Sequence, residues 1–195
     1  MIDLDRGWST RRLDLEPLAV AHAAELAPLL VDPALHEFTG GAPLSAAALA
    51  ARYARLAARR SPAGDQMWGN WVVRVRATGT AAGTVQAALP AGGPAEVAWV
   101  VVRPAQGRGY GKEAVRSLVA LLEEAGWTVV AHIRPGHLAS QRVARDAGLS
   151  PTADSRDGET RWVSPPPGAP LPRPCAHIQV VSAAIRIVGR GISDR

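Results

Sequence analysis

At 195 residues, the chain is long enough to bury about 70% of its unfolded surface in one core, and a content of 47% hydrophobic and 20% charged residues excludes the disordered and fibrous classes. Its 22 basic against 17 acidic side chains give a net charge of +5 and an isoelectric point near 10.5; this favours anionic partners, but the arginines are scattered and never interleaved with aromatic residues, which argues against nucleic acid. One cysteine, Cys175, rules out an internal disulfide and has no partner for a Cys-based metal site, so no metal is expected.

The N-terminal stretch MIDLDRGWST lacks a basic-then-apolar leader, and no run of ~18 apolar residues occurs, so the sequence predicts a cytoplasmic protein with no membrane segment. Residues 11–16 alternate apolar and polar and end at Pro17, as a short strand does. Residues 18–30 have helical spacing, with Pro28 placed to cut or kink the helix. Ser45 is a good N-cap for a second helix that runs through Leu49, Tyr53 and Leu56 to about Arg59. Residues 71–76 and 81–89 read as two strands of a hairpin, and residues 96–102, apolar on both faces after Glu96, as a central strand covered on both sides.

Residues 112–125 place Val115, Leu118, Val119 and Leu122 on one stripe of an amphipathic helix that Gly126 stops. A strand at 128–133, a short helix at 137–148 and a hairpin turning at Asp157-Gly158 follow. The order β-α-α-β-β-β-α-β-α-β-β implies a mixed α/β (α+β) fold in one domain, residues 1–164. Six of the ten residues 165–174 are proline, which marks 165–195 as an extended linker and tail. The strand-like segment at 177–191 suits an added edge strand, an arm that joins a neighbour in a homodimer, or a free tail.

Between the central strand and the amphipathic helix stands Gln106-Gly107-Arg108-Gly109-Tyr110-Gly111-Lys112. Unpaired amides at a helix N-terminus, with glycines that let a ligand approach them, make an anion site. Two common phosphate motifs fail on spacing. A Walker A loop needs glycine where Gln106 stands and Ser or Thr where Glu113 stands, and a dinucleotide fingerprint needs GxGxxG, whereas these glycines are two apart.

What remains is Q-x-x-G-x-G, carried by Gln106, Gly109 and Gly111 between a central strand and a helix. In this motif, and in the phrases EVAWVVVRP, GYGKEAV and HLASQRVARDAGL, the chain resembles the GCN5-related N-acetyltransferases (GNAT), in particular the branch that contains ribosomal-protein N-terminal acetyltransferases. The resemblance covers about residues 11–164. It implies a mixed, splayed β-sheet flanked by helices, and acetyl-coenzyme A as acyl donor. It further implies that the amides of Gln106, Gly107, Arg108, Gly109, Tyr110 and Gly111 hold the pyrophosphate with added charge from Arg108 and Lys112. The backbone of Val100, Val101 and Val102 would pair with the pantetheine arm like an extra strand.

Acetyl transfer to an amine needs a proton acceptor, because an amine of pKa near 10 is mostly protonated at neutral pH. By its position in the family's central strand, Glu96 is the first candidate, ahead of His36 and Glu37 in the loop that would border the acceptor cleft. The amide of Val101 is a candidate to polarise the acetyl carbonyl. Many relatives carry an asparagine at the start of the last core helix and, seven residues on, a tyrosine that protonates the leaving thiolate; here His137 and Ala144 stand in those places. Ser140, one turn after His137, is the substitute acid, and His137 would contact the pantetheine. Trp99 is either core or a wall of the acceptor pocket. The implied activity is direct acetyl transfer to a primary amine of a small molecule or a protein N-terminus. The alternative is a catalytically silent acyl-coenzyme A sensor, motivated by the missing tyrosine.

Overall fold

The structure, a computed structural model, describes residues 2–35 and 42–165. The tail from residue 166, Cys175, His36 and Glu37 lie outside them. In chain order the elements are β1 (Trp8–Ser9), β2 (Leu13–Pro17), α1 (His22–Leu26) extended by a 3-10 turn (Ala27–Leu29), α2 (Ala46–Ala57), β3 (Gln66–Val75), β4 (Ala81–Pro90) and β5 (Ala95–Val101). A second 3-10 turn (Arg103–Ala105) leads to α3 (Tyr110–Glu124), β6 (Val129–Ile133), α4 (Leu138–Asp146), β7 (Ser150–Arg156) and β8 (Glu159–Val163).

The strands form one eight-stranded sheet in the order β1-β2-β3-β4-β5-β6-β8-β7. Every neighbouring pair is antiparallel except β5 and β6. That parallel pair is short: only Ala95 with Val129 and Glu96 with Val130 are in register. Beyond Glu96 the two strands part, while β6 pairs with β8 from Val130 to Ile133. The sheet is therefore splayed at its centre.

Alternation along the strands builds three layers. On one face Trp71, Val73, Val85, Val97 and Trp99 pack with Val115, Leu118 and Leu122 of α3 and with Val143 and Ala144 of α4. On the other, Trp68, Val72 and Ala88 pack with Ala23 and Leu26 of α1 and with Leu49, Tyr53 and Leu56 of α2. Ser45 caps α2, its hydroxyl accepting from the Ala48 amide at 3.2 Å.

Three elements differ from the sequence expectation. The first helix begins only at His22, because Leu18 is still tied to the sheet through its amide and the Asn70 carbonyl (2.9 Å), and with Pro28 in place the chain continues from Leu26 as a 3-10 turn. The strand expected from residue 71 starts at Gln66, since residues 66–70 find partners across β4 from Pro90 to Gln86. Strand β1 is two residues long, too short to leave a periodic signal. The turn at Asp157-Gly158 forms as expected, with φ of 53° and 78°.

No helix among the described residues is long and apolar enough to cross a membrane. Leu118 is fully buried where α3 meets the sheet; Leu118→Ala is expected to lower the unfolding free energy by about 3 kcal/mol, read as a lower urea midpoint with unchanged slope.

Candidate functional site

The glycine loop ends in a cradle at the start of α3. Gly107 and Gly109 take left-handed φ of 75° and 77°, a conformation costly for residues with a Cβ. Gly109 is the N-cap and offers no side chain, and the first bond into the helix runs from the Glu113 amide to the Gly109 carbonyl at 3.1 Å. The amides of Tyr110, Gly111 and Lys112 thus precede the first intrahelical bond and project from the positive end of the helix. Gly111 serves another purpose: a Cβ there would lie 3.0 Å from Val101 Cγ2, so this glycine lets α3 sit close on β5.

Charge around the cradle is unevenly committed. Lys112 Nζ lies 3.4 Å from Asp146 Oδ1, and Arg116 also pairs with Asp146. Arg108 is exposed, and among the described residues no acid pairs with its guanidinium.

The loop is clamped from the N-terminal hairpin. Arg12 donates from Nη1 to the Arg108 carbonyl (3.0 Å) and from Nε to Glu113 Oε2 (2.6 Å), and its guanidinium lies 4.9 Å from the centre of the Tyr110 ring. Glu113 Oε1 accepts from the Arg12 amide (2.8 Å) and the Thr10 hydroxyl (2.6 Å). Burial pushes the Glu113 carboxyl up, but the hydrogen bonds from Thr10 and Arg12 outweigh it and leave the group below its ordinary value. Sequence reasoning missed this clamp; Thr10 and Arg12 are about a hundred residues from Glu113, and no local spacing connects them.

The backbone of β5 faces the splay with every second residue. The Ala95 amide bonds the Thr128 carbonyl toward β6 (2.9 Å), and the Val102 amide bonds the Ala82 carbonyl toward β4 (3.0 Å). Strand alternation between these points turns the amides of Val97, Trp99 and Val101 toward the splay and those of Ala98 and Val100 toward β4. Of the three valines expected to line the pantetheine arm, only Val101 faces the opening, and its carbonyl accepts from the Gln106 side chain at 3.0 Å.

Trp99 is 6% exposed on the α3–α4 face, and its indole donates to Ser140 Oγ at 2.7 Å. The tryptophan is thus a core residue that positions Ser140, on the opposite face from Glu96. His137 is half-buried at the N-cap of α4. Burial first, and then the charge of Arg134, lower its pKa to about 3, so the ring is neutral near pH 7.

Glu96 does not stand alone. Its Oε1 lies 3.0 Å from His132 Nδ1, and the two share a cavity of about 100 Å³ lined also by Arg134, Arg156, Asp157 and Glu159. His132 was not singled out from sequence; the available signal was one ionisable side chain inside the apolar strand VVAHI. Among the described residues no group of three or more His, Cys, Asp or Glu is placed to hold a metal ion.

Residues 12–150 match the family model described as an acetyltransferase (GNAT) domain. No protein of curated function matches the chain in sequence. Among solved structures, a presumed ribosomal-protein-serine acetyltransferase from Vibrio cholerae aligns at 20% identity over 83% of this chain and 97% of its own, with a TM-score of 0.64. An acetyltransferase from Agrobacterium tumefaciens str. C58 aligns at 23% identity over 81% and 93%, with a TM-score of 0.64. The microcin C7 self-immunity acetyltransferase MccE, solved with acetyl-CoA and AMP, aligns at 13% identity over 80% and 93%, with a TM-score of 0.65. At these identities the structures establish the fold.

A histidine kept neutral in the fold must gain a proton on unfolding at acid pH. Its share of stability is present above about pH 6.5 and is lost progressively as pH falls toward about 3. His137→Asn should therefore show a shallower loss of stability than the wild type between about pH 6.5 and 5, a range above most carboxylate titration, measured by urea unfolding at each pH. Parallel curves for the two proteins would contradict this.

Proposed function

The chain belongs to the GNAT acetyltransferase family, and from that premise we propose that it transfers an acetyl group from acetyl-coenzyme A directly to a primary amine, on a protein N-terminus or a small molecule. The observation that carries the reading is the splay itself: an open strand edge on β5 runs straight into a glycine cradle at a helix N-terminus. Such an edge suits an extended, amide-bearing arm, and the cradle suits a pyrophosphate.

In this reading the amides of residues 107–112, with Arg108, hold the phosphates; the Gln106 amide expected to join them is instead bonded to the Arg103 carbonyl at 3.2 Å, and Arg12 and Glu113 keep the loop in shape. The Val101 amide meets the arm. It cannot also serve the reacting carbonyl beside Glu96, because five residues of strand separate them by roughly 16 Å. The Trp99 amide, which faces the splay between them and whose side chain holds Ser140, is the better donor to the carbonyl oxygen as charge develops there. The amine nitrogen forms its bond to the acetyl carbon as the carbon–sulfur bond breaks; its proton leaves toward the Glu96–His132 pair. Ser140, whose Oγ accepts a hydrogen bond from the Trp99 indole, is the residue assigned to contact the departing sulfur. We assign residues 1–164 to this catalytic unit and 165–195 to an appended linker and tail.

The sensor reading keeps one observation in its favour. Ala144, fully buried, supplies no acid where many relatives carry tyrosine. Turnover separates the two: an enzyme releases free thiol from acetyl-coenzyme A when given spermidine, an aminoglycoside or a peptide that starts with serine, and a sensor binds without release.

Calorimetric titration of the wild type with acetyl-coenzyme A is expected to give binding in the micromolar range. Gly109→Glu, which places a carboxylate in the cradle at a left-handed φ, should abolish it. Arg12→Ala should weaken it about tenfold, the scale of one lost charge-assisted contact. Failure of the folded wild type to bind would end the enzyme reading.

A further inference from the structure

We propose that His132 is the base that takes the proton from the acceptor amine, and that Glu96 is the residue that positions it; this rests on the acetyltransferase reading above. The two side chains come from β5 and β6 at the level where those strands cease to pair. Glu96 is opposite Val130, and His132, two residues further along β6, points to the same sheet face by strand alternation. Their 3.0 Å contact bridges the foot of the splay, and both line the same cavity.

The chemistry of the contact assigns the roles. An ionised carboxylate only accepts hydrogen bonds, so the imidazole nitrogen facing Glu96 carries the hydrogen and Nε2 carries the lone pair. As free groups, a carboxylate is the weaker base, with a reference pKa of ~4.3 against ~6.5 for imidazole. The group whose ordinary pKa is nearer to neutral is the more effective proton acceptor. Nucleophile activation by a base that a third group orients is a recurring arrangement. In the step, the amine proton passes to Nε2, the new carbon–nitrogen bond forms, the carbon–sulfur bond breaks, and the imidazolium, facing the Glu96 carboxylate, returns its proton to water through the cavity.

Other charges around the ring are largely paired. Arg134, which follows β6, lies 3.7 Å from Glu159 on β8. Arg161, opposite His132 on β8, pairs with Asp154 on β7 at 3.5 Å. Arg156 and Asp157, at the tip of the same hairpin, complete the lining. Glu96 is thus the carboxylate in direct contact with His132.

The test is the pH dependence of kcat/KM for thiol release from acetyl-coenzyme A, with spermidine, an aminoglycoside and a serine-starting peptide as the amines. It is measured on the wild type, His132→Asn and Glu96→Gln, with acetyl-coenzyme A affinity determined for each. Asparagine keeps a donor toward Glu96 but cannot titrate. The proposal expects His132→Asn to lose about a hundredfold and the acid limb of the profile, with donor affinity unchanged. Glu96→Gln should keep the limb but lower kcat/KM, because the imidazole loses the acceptor that fixes its tautomer and orientation. If the limb survives His132→Asn and disappears in Glu96→Gln, Glu96 is the base and the proposal is overturned while the acetyltransferase reading stands. If the wild type acetylates none of the three amines, the acetyltransferase reading fails on these acceptors; a Glu96–His132 pair then still visible in nitrogen-15 imidazole shifts is structural, and the proposal falls as well.

Discussion

Everything proposed for this site depends on one departure from regular sheet structure: β5 and β6 pair at two residues and then separate. Backbone amides in a covered strand need hydrogen-bond partners, and β6, committed to β8 on its other edge, does not supply them to Trp99 and Val101, which lie beyond the paired register. An extended ligand that bears amides can. The splay therefore converts a stability requirement of sheets into a binding preference, without any side chain that would announce it.

The two ends of that open edge are finished differently. At one end α3 begins, with its first amides free of the helix ladder and glycines that let a ligand come close. The loop there is held from strands far away in sequence: Arg12 and Thr10 grip Glu113 through short, charge-assisted bonds, and Arg12 also fixes the Arg108 carbonyl. Preorganisation of this kind reduces what a ligand must spend on ordering the loop. At the other end stand Glu96 and His132, with Trp99 and Ser140 between, on the α3–α4 face. In the proposed reading, the cradle, the strand edge, the Trp99–Ser140 contact and the Glu96–His132 pair follow one another along β5.

Local signals made most of the fold legible. The alternation in 71–76 and 81–89, the Ser45 cap, the stripe of α3 and the Asp157-Gly158 turn each depend on neighbours in sequence, and each appears in the structure near its expected place. Pro28 ends the first helix, as its ring requires, but the start of α1 has no local signature because the tie from Leu18 to Asn70 is tertiary. The glycine loop was legible for the same local reason. The Glu96–His132, Trp99–Ser140 and Arg12–Glu113 contacts were not, since each joins segments whose relative register is set only when the sheet and helices pack. Residues 100–102 show the limit most clearly: their identity as a strand was evident, but which of them faces the opening depends on a parity that only the Val102–Ala82 and Ala95–Thr128 bonds fix.

Amide hydrogen exchange, followed residue by residue with and without acetyl-coenzyme A, tests the open-edge account most directly. The account predicts new protection at Trp99, Val101 and the amides of 107–112, with little change at Val102, already bonded to Ala82. Protection confined to other segments, or binding that leaves Trp99 and Val101 exchanging as before, would contradict it.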